Sequence, residues 1–256
     1  MNFFRHWSLT AALLLAAAGH GAAAEQPCER RTLGDAHYVV CTVKKDDARL
    51  RLFWQKPDGA PYRWFGTLAE RIEAQGRTLV FAMNAGMYGD DFTPMGVYVE
   101  EGRQLRPADL KTMDGPQAKI PNFYKQPNGV FYFGSGEAGI LTTAAFLKER
   151  PKSDFATQSG PMLVTANEVN PIFIAGSSDR TRRSGVGVCA GGDLRFVISE
   201  DDVNFFDFAA VFKNHLSCPD ALFLDGGQGA GLFSPALKRA DWSWHGGYGP
   251  MIGLVE

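Results

Sequence analysis

Residues 221–235 read ALFLDGGQGAGLFSP and combine two signals of opposite kind. Ala221 to Leu224 form a short apolar run of the sort that makes a buried strand. Asp225 ends the run, and Gly226, Gly227, Gly229 and Gly231 follow. A carboxylate at the end of a buried strand is costly unless it has partners or a task. Glycines at that density weaken any regular element. A dinucleotide or P-loop reading needs a helix directly after the glycines, to hold phosphate at its N-terminus. Here Leu232-Phe233-Ser234-Pro235 is strand-like, and no Gly-Lys-Ser/Thr occurs. The stretch is therefore strand, open loop, strand, which argues against a doubly wound nucleotide fold.

The rest of the chain agrees. AHYVVCTVK (36–44) and ARLRLFW (48–54) have strand composition. Phe65, Leu68, Ala69 and Ile72 recur at helical spacing, and Gly76 is a fitting stop, so residues 64–75 predict an amphipathic helix. RTLVFAM (77–83) is a buried strand leading into the polar loop NAGMYGDDFTPMG, and VYVEEGRQLR reads as a hairpin about Glu101-Gly102. Residues 106–128 carry Pro107, Pro116, Pro121 and Pro127 and read as an irregular binding loop. GVFYFG, GPMLVT, SGVGVCA and DLRFVIS resume the strands. Asn204 is then a candidate N-cap for a helix that buries Phe205, Phe208, Ala209, Phe212 and Leu216. Many strands with two good helices predict an α+β fold with a large mixed sheet.

The beginning of the chain is set apart. Arg5 and His6 precede an apolar run, and Ala22-Ala23-Ala24 stand before Glu25. This is the layout of a secretory signal peptide, and the run is too short to span a bilayer. Residues 1–24 are expected to be cleaved, leaving residues 25–256 as one domain in the periplasm or secreted, with no transmembrane segment. The formal net charge of −2 gives no reason to expect a nucleic-acid or anionic-membrane partner. The four cysteines allow three pairings. Closeness in sequence favours Cys28–Cys41 and Cys189–Cys218, with free buried thiols as the alternative. His37, His215 and His245 are scattered, with neither H-x-x-x-H nor C-x-x-C. No zinc site and no cofactor are expected.

Four polar, glycine-flanked junctions meet strands: MNAGMYGDD (83–91), QSGPMLV (158–164), DRTRRSGVGV (179–188) and LDGGQGAG (224–231). Glycine beside a polar residue lets a ligand approach backbone N–H groups. Four such junctions in one domain point to a shared pocket. An arginine of the DRTRRS cluster would pair naturally with phosphate.

These segments, with PNGVFYF, VNFFDFA and ALFLDGG, occur in an order that resembles the phosphodiester glycosidase family. The likeness is to its bacterial exported branch, related to the eukaryotic N-acetylglucosamine-1-phosphodiester α-N-acetylglucosaminidase. It spans nearly all of residues 25–256. The resemblance implies a curved mixed sheet and hydrolysis of a sugar joined through phosphate to a second group. The family's motifs fall on Asn84 and Gly86, on Arg183 and Gly187, and on Asp225 and Gly226. One position departs: where the family carries serine, four residues after the aspartate, this chain has Gly229.

A phosphate leaves as a stabilised anion, so less general-acid help is needed than with an alcohol leaving group. On that basis Arg183 is expected to hold phosphate, while Asp225 activates water or stabilises the oxocarbenium-like state. Asp90 or Asp91 would be the second carboxylate. Asn84, Gly86, Asn128, Ser159, Gly160, Gly226 and Gly227 would line the substrate. Two other readings share the pocket: a non-catalytic envelope module that binds glycan or phosphoglycan, and a phosphodiesterase cleaving the P–O bond. Oligomeric state is not legible in the chain. Intact-mass measurement of exported protein should give a chain starting at or near Glu25, and a retained Met1 would contradict the signal peptide.

Overall fold

A computed structural model of the chain describes Met1 and residues 26–256. Apart from Met1, the expected signal over residues 1–24 lies outside the described residues. The strand read from the opening stretch is Asp220–Gly226, inside a seven-stranded sheet. Its neighbours Arg183–Val188 and Met162–Thr165 both run antiparallel to it. Being interior, it buries both faces. Leu222 and Leu224 join the central core, while Ala221 and Phe223 join a second cluster under helix Phe205–Ala210. This is why its apolar residues run on without alternating.

The full order of that sheet is Cys28–Leu33, Ala36–Lys44, Asp193–Ser199, Arg183–Val188, Asp220–Gly226, Met162–Thr165 and Glu168–Val169. A second sheet orders Arg239–Ala240, Leu232–Ser234, Leu79–Asn84, Met251–Val255 and Leu50–Phe53. A third orders Arg103–Arg106, Tyr98–Glu100, Phe155–Ser159, Gly129–Gly134 and Glu137–Thr142. The expected α+β domain forms, with its strands divided among three sheets. Pairing among the described strands is antiparallel, where a mixed sheet was expected. Hairpins such as the one turning at Glu101 and Gly102 reverse the chain, whereas a parallel neighbour needs a long crossover.

The sheets share one core. Phe196 of the first sheet lies 5.9 Å from Phe81 of the second and 5.9 Å from Phe131 of the third, ring centre to ring centre. Helix Phe65–Glu73 covers the outer face of the second sheet with Phe65, Leu68 and Ile72, and Gly76 ends the turn at φ +73°. Asn204 caps helix Phe205–Ala210, its Oδ1 accepting the Asp207 N–H at 2.8 Å. The last part of the expected helix widens into a π turn over Val211–His215, which still keeps Phe212 and Leu216 buried. A further short helix, Thr143–Glu149, begins at a Thr142 cap that accepts from Ala145 N–H.

Both cysteine pairs form as proximity in sequence favoured. Cys28 faces Cys41 across adjacent strands and is bonded to it. Cys189 is bonded to Cys218, joining the end of Arg183–Val188 to the approach to Asp220–Gly226. The second bridge spans 29 residues and the first 13, so the second restricts the unfolded chain more. Replacing Cys189 and Cys218 together by Ala should lower unfolding stability by about 2–4 kcal/mol, and replacing Cys28 and Cys41 by less. Urea titration of the two variants tests this, and an unchanged midpoint for the first would refute it.

Candidate active site

Asp225 stands where the seven-stranded sheet meets the second sheet. Its backbone is fixed by Ser184 on the neighbouring strand. Ser184 Oγ donates to Asp225 O at 3.0 Å and accepts from Asp225 N at 3.1 Å. It also accepts from Asn84 Nδ2 at 2.8 Å, which fills the hydroxyl's one donor and two acceptor positions. Asn84 ends strand Leu79–Asn84, so this bond ties one sheet to the other. The Asn84 Oδ1 accepts from Gly231 N at 3.1 Å, and the Asn84 N–H donates to Gly231 O at 3.2 Å. One residue before Asp225, Ser159 Oγ donates to Leu224 O at 2.9 Å. Three of the four junctions thus send a buried polar side chain to the backbone of the fourth.

The loop so held forms one wall of a cavity of about 580 Å³, within the ordinary range for a small-molecule site. Asp225, Gly226, Gln228 and Gly229 line it on one side, and Tyr88, Gly89, Asp90, Phe92 and His245 on the other. Tyr88 and Phe92 stack at 5.7 Å, and the His245 ring lies 6.2 Å from Tyr88. The Tyr88 hydroxyl donates to Gly247 O at 3.0 Å, joining the loop after Asn84 to the segment that leads into Met251–Val255. Behind Phe92, the Arg63 guanidinium sits 4.4 Å from the ring centre and donates to Gly246 O at 2.8 Å.

The glycines after Asp225 clear space for particular side chains. A Cβ at Gly229 would overlap the Asp225 carboxylate, and one at Gly231 would overlap the Tyr248 phenol. The Asp225 residue is half-buried, its carboxylate folded back over Gly229 and accepting the Gly226 N–H at 2.8 Å. Burial pushes this carboxyl up to about 7, opposed by that hydrogen bond. Burial raises the Tyr88 phenol too, and the charge of Asp225 adds to the effect.

The other expected site residues are placed as follows. Asp90 is exposed and lines the cavity, whereas Asp91 accepts from Thr93 N and Oγ1 and borders a neighbouring groove. Those two bonds hold the Asp91 carboxyl below its usual range. Gly86 packs tightly on the backbone of Gln158. Asn128 donates to Phe123 O and accepts from Thr143 Oγ1, and Gly160 abuts the Asn128 side chain. Gly227 adopts φ +56° and donates its N–H to Arg182 O.

Arg183 is fully buried on the helix side of the sheet, its guanidinium 3.7 Å from the centre of Phe205. Nε donates to Val203 O and Nη2 to Asp179 O, while burial lowers its pKa to about 10. Its position in the strand is next to Ser184, so the two side chains leave opposite faces. Arg183 is not among the residues that line the Asp225 cavity. Of its companions, Arg182 is paired with Asp241 and Arg180 with Asp207. Among the described residues, no three His, Cys, Asp or Glu side chains come together as a metal-binding group.

A model of the phosphodiester glycosidase family matches residues 77–246. YigE of Escherichia coli (strain K12), described as uncharacterized, is 35% identical over 185 residues, covering 72% of this chain and 70% of that protein. Among solved structures, the zebrafish N-acetylglucosamine-1-phosphodiester α-N-acetylglucosaminidase catalytic domain, auto-inhibited by its pro-peptide, aligns with a TM-score of 0.60 at 13% identity. The match covers 89% of this chain and 81% of that one. A hypothetical protein from Synechocystis aligns with a TM-score of 0.55 at 13% identity, covering 89% of this chain and 61% of that one. At these identities the two structures speak for the fold.

The raised Asp225 carboxyl has a consequence for stability. Its proton is held more tightly folded than unfolded, so ionisation destabilises the fold. That cost is absent below about pH 4, grows as pH rises, and is complete above about 7. Asp225→Asn should match the parent near pH 4 and exceed it near pH 8 by roughly 2–3 kcal/mol, the roughly 4 kcal/mol of the full shift being reduced by solvent reaching the half-buried residue. Urea unfolding of both proteins across that range is the check, and a difference independent of pH would contradict it.

Proposed function

The chain belongs to the phosphodiester glycosidase family, and from that premise we propose that it hydrolyses a sugar-1-phosphodiester at the glycosidic C–O bond, releasing the sugar and a phosphomonoester. The observation that carries this reading is the Asp225 carboxyl, raised to about 7 in a polar cavity walled by aromatic rings. A group poised there can exchange a proton with water near neutrality. Ionised, it draws a proton from an attacking water or stabilises positive charge developing at the anomeric carbon. Asp90, across the cavity, supplies the second carboxylate. Gln228 and His245 offer hydrogen bonds to hydroxyls or phosphate oxygens.

In this reading Arg183 acts by position. Its bonds to Val203 O and Asp179 O brace the start of strand Arg183–Val188, which carries Ser184 and through it Asp225. The phosphate departs as an anion, so a strong general acid is not required. Export to the periplasm or medium fits the two disulfides, which persist in oxidising compartments. Among the described residues no helix is long and apolar enough to cross a membrane.

Hydrolysis of synthetic sugar-1-phosphodiesters in oxygen-labelled water tests the proposal directly. Label in the sugar supports C–O cleavage. Label in the phosphate would make the protein a P–O phosphodiesterase, and saturable binding without release would make it a binding module. With an active substrate, kcat should rise with pH through about 7 as Asp225 ionises. Asp225→Asn should lower kcat by roughly 10²–10⁴-fold, with ligand binding largely kept. A loss of binding at unchanged kcat would remove Asp225 from the chemistry.

A further inference from the structure

At the rim of the cavity the chain exposes aromatic surface that the site described so far does not use. Trp242 is 56% and Trp244 79% exposed, the most exposed aromatic side chains among the large exposed hydrophobics of the described residues. They form a small ordered array. Trp64, at the start of helix Phe65–Glu73, stacks on Trp242 at 5.6 Å and 7°, and Trp244 meets Trp242 at 4.7 Å and 80°. The array is joined to the cavity wall. The Trp244 backbone N–H donates to Gln228 Oε1 at 3.2 Å, and both Gln228 and the residue after Trp244, His245, line the cavity.

Clustered exposed indoles on a surface mark a place where something binds. Asp241, next to Trp242 in sequence, is turned inward to Arg182, Arg239 and the Leu232 N–H, so it offers the array no free charge for a peptide. Stacked and perpendicular indoles also do not make a flat apolar face. Trp244 leaves most of its indole open, close to Gln228 and His245. A pyranose matches that surface: its C–H face is weakly positive and meets the negative face of an indole, while its hydroxyl rim stays wet.

We propose that Trp242 and Trp244 form a subsite for a second sugar ring, so that the ligand is a glycan chain running from the Asp225 cavity across the indole array. This rests on the reading of the cavity as a sugar site, and it makes the substrate a phosphodiester-linked oligosaccharide or polysaccharide.

The test is titration of the exported chain with cellohexaose, chitohexaose and maltohexaose, following the indole N–H signals by NMR. Trp54, buried in the core, serves as an internal reference. At least one saccharide should shift the Trp242 and Trp244 signals in a saturable way and leave Trp54 in place. Trp244→Ala should weaken that binding about tenfold, the worth of one good aromatic contact, and Trp244→Phe should restore part of it. No indole response to any of the three overturns the proposal, as does binding that a Trp242→Ala/Trp244→Ala variant keeps. Self-association abolished by that double variant, without saccharide binding, would assign the surface to a protein contact and overturn it as well. Failure of phosphodiester hydrolysis with the indole response intact removes the proposed chemistry and leaves the subsite standing.

Discussion

The hydrogen bond from Asn84 Nδ2 to Ser184 Oγ is the joint on which the site depends. It crosses from one sheet to another through fully buried groups. Ser184 grips the Asp225 backbone from one side, and Asn84 holds Gly231 at the far end of the loop. A glycine-rich loop has high conformational entropy when free. Here both ends are pinned by side chains whose own hydrogen bonds are satisfied, so the loop is ordered while only Asp225 and Gln228 bring side chains to the cavity. Removing one partner would leave a buried polar group alone, which costs more than the bond itself contributes.

That joint also explains how an acid with a raised pKa is tolerated. Among the described residues no arginine or lysine acts on Asp225, and a single N–H offsets its burial. One other partly buried acid is handled differently. Asp241 is held low by Arg239 and Arg182 despite its burial. The contrast lies between an acid neutralised for structure and one left unpaired at a cavity wall. Unpaired acids of the second kind cluster at functional sites, because a neutralised carboxylate has little proton affinity to offer.

The sequence told some of this story well. Strand Asp220–Gly226, the helix after Asn204, the helix before Gly76 and both disulfides follow from local pattern and proximity. Helix Thr143–Glu149 was not legible, since seven residues are too few to show a period. Asp225 and Asp90 could be singled out by their glycine neighbours. His245, Tyr88, Phe92 and Gln228 could not, because closure of the cavity depends on contacts distant in sequence, such as Tyr88 to Gly247. Arg183 shows the opposite difficulty. Charge and motif marked it, yet it is the adjacent Ser184 that touches Asp225, and a strand sends successive side chains to opposite faces.

The aromatic junction of Phe81, Phe196 and Phe131 bears on how this domain can be cut or divided. Each ring belongs to a different sheet, so each sheet completes the others' interior and none carries a core that could stand alone. The strands that meet there come from early, middle and late parts of the chain. A fragment ending anywhere inside residues 81–196 would leave at least one of these rings facing water. The molecule is therefore expected to melt as one unit, and a working module cannot be trimmed from it at a sheet boundary.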